Sequence, residues 1–165
     1  MNYLHYVKYN LWANESLVKI LEAQSDEVLD QNLISSFPTI RKTIFHIADA
    51  QHIWLLRLRG VSPADWPSKS LSSDQAIPAL RNTSSAFEEF LSSQDDSFFE
   101  ALCTYTTLDQ KVYHESNGNI IMHCMNHSTF HRGQLITLLR QTGLEGKIPS
   151  TDLITYLREK RSLMK

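Results

Sequence analysis

Between Ile120 and Thr142 the apolar residues recur with the period of an α-helix, and two histidines one turn apart lie on the same side. At about 100° per residue, with His131 as zero, Ile120, Ile121, Cys124, Leu135, Leu138 and Leu139 fall between roughly −20° and +80°. This arc is the face that such a helix must bury. His131 lies inside it and His127 falls at about −40°, so two imidazoles at i, i+4 point inward, where both can grip one metal ion. His123 sits one turn earlier at about −80°, on the flank. The buried arc demands partner helices with apolar faces of their own.

Three further long segments supply them. Leu4, Val7, Leu11, Val18 and Leu21 share one stripe of a helix over residues 3–23, with Asn14 in the same stripe. A second helix begins after Pro38 with Thr39 as its cap and runs to about Arg59, where Gly60 and Pro63 stop it. Ile44, Phe45, Ile47, Ile53, Trp54, Leu55, Leu56 and Leu58 make it apolar around most of its circumference. The Ser- and Pro-rich stretch from Val61 to Ser73 reads as a loop, followed by a weaker helix over 74–91 that tolerates Pro78 near its start. From Phe98 to Tyr113, β-branched and aromatic residues around Leu108–Asp109 predict a short hairpin or an extended connector. Asn117-Gly118-Asn119 is expected to break the chain before the last long helix, which Gly143 ends. A short final helix starts near Ser150, capped by Ser150 or Thr151, and leads into the basic tail Arg158–Lys165. The fold class expected is all-α: one domain over residues 1–165, an antiparallel four-helix bundle with the hairpin or connector before its last long helix and a short C-terminal helix.

Composition narrows the partners. Lys plus Arg (16) nearly balances Asp plus Glu (18), leaving a net charge of −2 with no field to recommend nucleic acid or an anionic membrane. The opening residues lack a signal-peptide apolar stretch, and no apolar run approaches the roughly 18 residues of a membrane span. Cys103 and Cys124 form no CxxC and read as reduced thiols, so a soluble cytoplasmic protein is expected.

Seven histidines stand out in this ordinary composition. His127 and His131 alone make an incomplete metal site, and His46 on the second helix supplies the third ligand. Measured from His46, Ile53 lies at about −20° and Ala50 at about +40°, whereas His52 is about 120° round. With these two helices as neighbours, His46, His127 and His131 converge as three neutral nitrogen ligands, leaving positions open for water or substrate. The competing reading is of core histidines, each with one satisfied hydrogen bond. Both four-residue histidine spacings, 123–127 and 127–131, lack the Glu of a metalloprotease HExxH. Asp49, about 60° from His46, is placed to orient a ligand or accept a proton, or else to sit as a surface carboxylate. Gln134 holds the corresponding position relative to His131, and Asn14 points toward the cavity from the first helix; both read first as hydrogen-bonding residues. Trp12 and Trp54 read as core or pocket wall. Gly133 in mid-helix is expected to admit close approach of another helix, with Arg132 near the bundle edge, paired with a carboxylate or a neighbouring subunit. His5, His52 and His114 have no assigned role.

The string His123-Cys-Met-Asn-His127-Ser-Thr-Phe-His131-Arg132-Gly133-Gln134, with Leu138-Leu139-Arg140-Gln141 behind it, resembles the C-terminal signature of the DinB/YfiT-like metalloenzymes, a family unrelated to the DNA polymerase of the same name. The stretch Phe37-Pro-Thr-Ile-Arg41-Lys-Thr-Ile-Phe-His46-Ile-Ala-Asp49-Ala, followed by Trp54, Arg57, Leu58 and Gly60, is similar to the family's second helix. Tyr9-Asn10-Leu11-Trp12-Ala13-Asn14 and Asp152-Leu153-Ile154-Thr155-Tyr156-Leu157 resemble its first and last segments, and 62–119 matches little. The resemblance implies an up-down-down-up four-helix bundle, often a homodimer, whose metal-binding histidines map onto His46, His127 and His131. It also implies a divalent transition metal ion, zinc or nickel first, although imidazole suits copper and iron as well. Some relatives use a low-molecular-weight thiol such as bacillithiol, mycothiol or glutathione. The expectation is therefore a metal-dependent enzyme of the thiol S-transferase type, activating a thiol or water against a small-molecule substrate. Asp49 and His123 are its catalytic candidates, and no nucleic acid or membrane is involved. The alternative is a non-catalytic metal-binding or stress-response protein in which the ion is structural or sensed.

Overall fold

The computed structural model describes residues 2–162. Four long helices form the frame: α1 (Tyr3–Leu21), α3 (Ile40–Leu58), α4 (Ala76–Ser92) and α6 (Asn117–Gln141). Between and after them come the short helices α2 (Asp26–Leu29), α5 (Asp96–Glu100) and α7 (Leu153–Ser162), and a hairpin of β1 (Leu102–Thr106) with β2 (Val112–Ser116). No helix among the described residues is long and apolar enough to cross a membrane. The end of the basic tail, 163–165, lies outside the described residues.

Local chemistry sets the helix ends. Thr39 Oγ1 accepts from Lys42 N at 3.1 Å to open α3, and Ser116 Oγ accepts from Asn119 N at 3.2 Å to open α6. Gly60 and Gly143 follow the ends of α3 and α6 with φ of 79° and 80°, the left-handed geometry that glycine adopts without a steric penalty.

Side-chain pairs fix the helix directions. Lys8 meets Glu88 and Glu22 meets Arg81, so α1 and α4 are antiparallel. Tyr3 lies against Gly118 and Asn14 against Arg132, so α1 and α6 are parallel. Trp54 meets His123 and His46 meets His131, so α3 and α6 are antiparallel. Gln51 meets Ser84 and Arg59 meets Phe90, so α3 and α4 are parallel. The course is up-down-down-up. Because α3 and α4 run the same way, the chain between them must return along the bundle, and this crossover carries Trp66 and the 3-10 turn Pro67–Ser70 past His46 and Asp49.

The core has two main apolar clusters. One holds Leu17, Ile40, Ile44, Ile47, Leu80 and Leu135, and the other Val7, Leu55, Phe87, Ile120, Ile121 and Met125. A buried polar layer drawn from all four long helices separates them. Asn10 Nδ2 donates to Gln51 Oε1 at 3.1 Å, Asn14 Nδ2 to Ser84 Oγ at 2.9 Å, and Ser84 Oγ to Gln51 Oε1 at 3.1 Å. Arg132 closes the network through Asn10 Oδ1, Asn14 Oδ1, Thr129 Oγ1 and Tyr9 Oη. Apart from Arg132 Nε, which has no partner among the described residues, the polar groups of the layer bond one another, and such a network favours one packing register of the helices.

Several sequence expectations change. Arg132 is 1% exposed and donates to neutral oxygens of the layer; it is not at the bundle edge, and no carboxylate pairs with it among the described residues. The reason is that α6 packs on both α1 and α3, which widens its buried arc to take in Met125 at about +120° and Arg132 at about +100°. A Cβ on Gly133 would meet nothing within 4 Å, so no helix approaches closely there. The crowded glycine is Gly118, where a Cβ would come within 2.6 Å of Tyr3 Oη and 3.1 Å of Phe99 O. Asn117-Gly118-Asn119 does not break the chain before the helix but forms its first turn, because Ser116 supplies the cap. Asn14 faces Ser84 and Arg132 within the polar layer. Of the two expectations for 98–113, the hairpin is correct, preceded by α5 and turning through 107–111 with Gln110 at a φ of 63°. The first helix ends at Leu21, two residues early, and α2 was not anticipated.

Candidate metal centre

His46 projects from the middle of α3, and His127 and His131 from successive turns of the antiparallel α6. Their three ligand nitrogens lie within 4.8 Å of one another. His46 Nε2 is 3.1 Å from both His127 Nε2 and His131 Nε2. Two nitrogens each about 2.1 Å from a common ion and 3.1 Å apart subtend roughly 95° at it, so His46 pairs with either histidine of α6 at a spacing that suits a first-row divalent ion.

Hydrogen bonds around the cluster favour ligation. Gln134 Nε2 donates to Ser36 Oγ at 3.2 Å, which turns Gln134 Oε1 toward His131 Nδ1 at 2.7 Å. A carbonyl oxygen only accepts, so His131 carries its proton on Nδ1 and presents an Nε2 lone pair to the shared point. His127 Nδ1 is buried with no partner among the described residues, so no protein group fixes its tautomer. Burial, reinforced by the neighbouring imidazoles, lowers the pKa of His46 and of His127 to about 4. Burial also lowers that of His131, against the opposing bond to Gln134. All three are therefore neutral at pH 7, the form that binds a metal.

Aromatic rings wall the cluster. Phe37 stacks on His46 at 4.2 Å and meets His131 edge-on at 5.7 Å, while Trp66 of the crossover lies 6.0 Å from His46. Two cavities border the histidines. One of about 390 Å³ is lined by Phe37, Phe45, His46, Asp49, Trp66 and Ser68. The other, of about 220 Å³, takes in His46, His127, Trp54, Arg57, Leu108 and His123.

The remaining sequence candidates divide. Asp49 is buried, and its two carboxylate oxygens accept from Ser68 N at 2.8 Å and from Ser68 Oγ. It ties the crossover to α3 and makes no bond to a histidine of the cluster. Burial raises its pKa, against the bonds from Ser68. His123 is exposed but lines the smaller cavity, 6.1 Å from the His127 ring and edge-on to Trp54 at 5.1 Å. Partial desolvation and the positive charge of Arg57 hold its pKa below the usual imidazole range. His114 pairs with Thr104 on the hairpin and His5 lies against Tyr156, both away from the cluster. Sequence reasoning gave no role to Phe37, Trp66 or Arg57. Arg57 alone carried a signal, as a charge on a helix that is otherwise apolar around most of its surface.

The chain is 26% identical over 152 residues to Protein DinB of Bacillus subtilis, covering 82% of this chain and 83% of that protein. It is 26% identical over 148 residues to the uncharacterized protein YrdA of the same organism, covering 85% and 83%. Among solved structures, a DinB-like protein from Bacillus cereus superposes with a TM-score of 0.66 at 23% identity, over 88% of this chain and 94% of that one. YfiT from Bacillus subtilis, described as a probable metal-dependent hydrolase with an unusual four-helix bundle topology, superposes with a TM-score of 0.64 at 16% identity, over 85% and 87%. These two likenesses establish the shared fold. The DinB family matches residues 1–162, nearly the whole sequence, and the chain belongs to that family.

Proposed function

We propose that the chain is a metal-dependent enzyme in which His46, His127 and His131 hold one divalent transition ion, zinc or nickel first, at the edge of a substrate cavity. The observation that carries this reading is the convergence of three Nε2 atoms, one of them aimed by Gln134. When bound, an ion held by three neutral imidazoles keeps its full charge and lowers the proton affinity of a water or thiol beside it. Two of the three histidines keep partial solvent exposure and the cluster borders two cavities, whereas structural metal sites are closed.

The protein's own side chains prepare the site. Gln134 fixes the His131 ring, Phe37 and Trp66 limit water around His46, and Asp49 holds the crossover in place through Ser68. His123 faces the cavity with a free imidazole, so proton transfer to or from a bound molecule is assigned to it, with Asp49 as a positioning residue. Neither cysteine is suited to be the nucleophile. Cys103 Sγ donates to Arg57 O, and burial pushes the Cys124 thiol far up. A nucleophilic thiol must then come from outside, which fits an S-transferase that uses a low-molecular-weight thiol. The description of YfiT supports water as the nucleophile instead. The reading includes a cytoplasmic setting, in keeping with two free thiols, and a homodimer, which light scattering checks.

The experiment is a turnover screen of zinc- and nickel-loaded protein against His127→Ala, pairing several small thiols with electrophiles and running hydrolysable esters and amides without thiol. Turnover that needs the thiol and is lost in the variant is expected. Turnover without thiol identifies water as the nucleophile, and absence of any activity overturns the enzymatic reading in favour of a structural or sensed ion.

A further inference from the structure

Three arginines are buried among the described residues: Arg41, Arg57 and Arg132. A buried guanidinium is costly unless its donors find acceptors. Arg41 bonds the carboxylates of Asp26 and Asp30 and the Ser73 carbonyl. Arg132 leaves Nε unpaired, but its two terminal nitrogens reach four oxygens. Arg57 differs from both. It is 6% exposed, the sole hydrogen bond of its guanidinium among the described residues is a long one from Nη2 to Thr106 O at 3.4 Å, and Nε has no partner there. No carboxylate pairs with it among the described residues. Its guanidinium carbon sits over the rings of Trp54 at 4.4 Å and Tyr105 at 4.8 Å. Aromatic faces stabilise the charge but accept none of the in-plane N–H bonds.

Arg57 also lines the cavity of about 220 Å³ that borders His46 and His127. We propose that Arg57 is a specificity-determining residue that binds the carboxylate of a small-molecule substrate in this cavity, an inference that rests on reading the cavity as the substrate site. The fork of a guanidinium matches the two coplanar oxygens of a carboxylate. Among the described residues no other formally charged side chain lines the cavity, so a single negative charge is matched and a phosphate dianion is not. The volume lies below the roughly 300–1,000 Å³ of drug-sized pockets, which limits the occupant to a compact fragment. Trp54, Trp66 and Leu108 supply apolar walls for its carbon skeleton.

The test is a titration followed by tryptophan fluorescence, since Trp54 and Trp66 both face the cavity. Benzoate, its uncharged counterpart benzyl alcohol and inorganic phosphate are added to wild-type, Arg57→Gln and Arg57→Lys proteins, each with chelator present so that no metal competes for the carboxylate. Saturable benzoate binding is expected in the wild type, weakened about tenfold or more by Arg57→Gln and less by Arg57→Lys, with the alcohol and phosphate at least as weak as benzoate on Arg57→Gln. If Arg57→Gln fails to fold, Leu108→Trp keeps the arginine and fills the cavity, and it should abolish benzoate binding. Absence of saturable benzoate binding, undiminished binding by Arg57→Gln or Leu108→Trp, or equal binding of the alcohol or phosphate overturns the proposal. Zinc content, measured in parallel, should be equal in wild type and Arg57→Gln. A wild type that retains no zinc overturns the metal reading while leaving the chelated titration to decide the role of Arg57.

Discussion

Replacing Gln134 with leucine removes the acceptor that holds the His131 proton on Nδ1. The bond is 2.7 Å long, and the amide is oriented from its far side by Ser36, so wild-type His131 presents its Nε2 lone pair ready for a metal. Without the acceptor the ring samples both tautomers and rotates more freely, and Nε2 becomes less basic. Losing such an outer partner typically lowers metal affinity by about 10–100-fold, or about 1.4–2.7 kcal/mol. Gln134 is only half-buried, so its effect on folding should stay below about 1 kcal/mol, and the two effects separate. Gln134→Glu keeps an acceptor, adds negative charge and should bind metal at least as tightly as wild type. Competition for zinc with a chromophoric chelator at neutral pH measures all three. Affinity of Gln134→Leu within twofold of wild type, or a Glu variant as weak as the Leu variant, would refute the tautomer argument.

Three further outcomes concern the scaffold and its titration. Arg132→Met strips the charged donor from Asn10 Oδ1 and Asn14 Oδ1, at about 1–3 kcal/mol for each orphaned buried oxygen; melts should fall by roughly 10 °C, and an unchanged melt contradicts the polar-layer account. Gly118→Ala should destabilise through its clash with Tyr3, whereas Gly133→Ala, in open space, should gain up to about 1 kcal/mol in urea unfolding; the reverse order would contradict the packing described. For chelated protein, His46 and His127 have folded pKa values of about 4, below the ordinary value near 6.5, so the unfolded chain binds more protons between these limits. Their contribution is fully present above about pH 6.5 and is lost as the pH falls through about 4, a few kcal/mol for the pair once partial exposure is discounted. Urea midpoints across this range should fall less steeply in the His46→Gln/His127→Gln double variant, and identical slopes would contradict the assignment.

The three-histidine cluster was legible because helical angles alone place His127, His131 and His46 on apolar faces, and a bundle brings such faces together. The same angles misplaced Arg132. A charged residue at the rim of an apolar arc is usually solvated, and only the packing of α6 on two neighbours shows the arc to be wider. Gly133 suggested a close contact, yet a helix can carry a glycine that touches nothing. Asp49 has the spacing of a metal partner, but the crossover imposed by the parallel α3 and α4 brings Ser68 to it, and that crossover follows no periodic pattern in the sequence. Trp66 and Phe37 reach His46 from irregular segments for the same reason. Apolar-face side chains on regular elements could thus be assigned by angle, while those at the rim of a face, and those delivered by loops, became visible only in three dimensions.

The central claim is that His46, His127 and His131 together hold one divalent ion. Elemental analysis of the protein, stripped with chelator, reloaded with zinc or nickel and exchanged into metal-free buffer, tests it most directly. About one ion per chain is expected in the wild type and almost none in His46→Ala, His127→Ala or His131→Ala. A wild type that retains no divalent transition ion, or variants that retain as much as wild type, would contradict it.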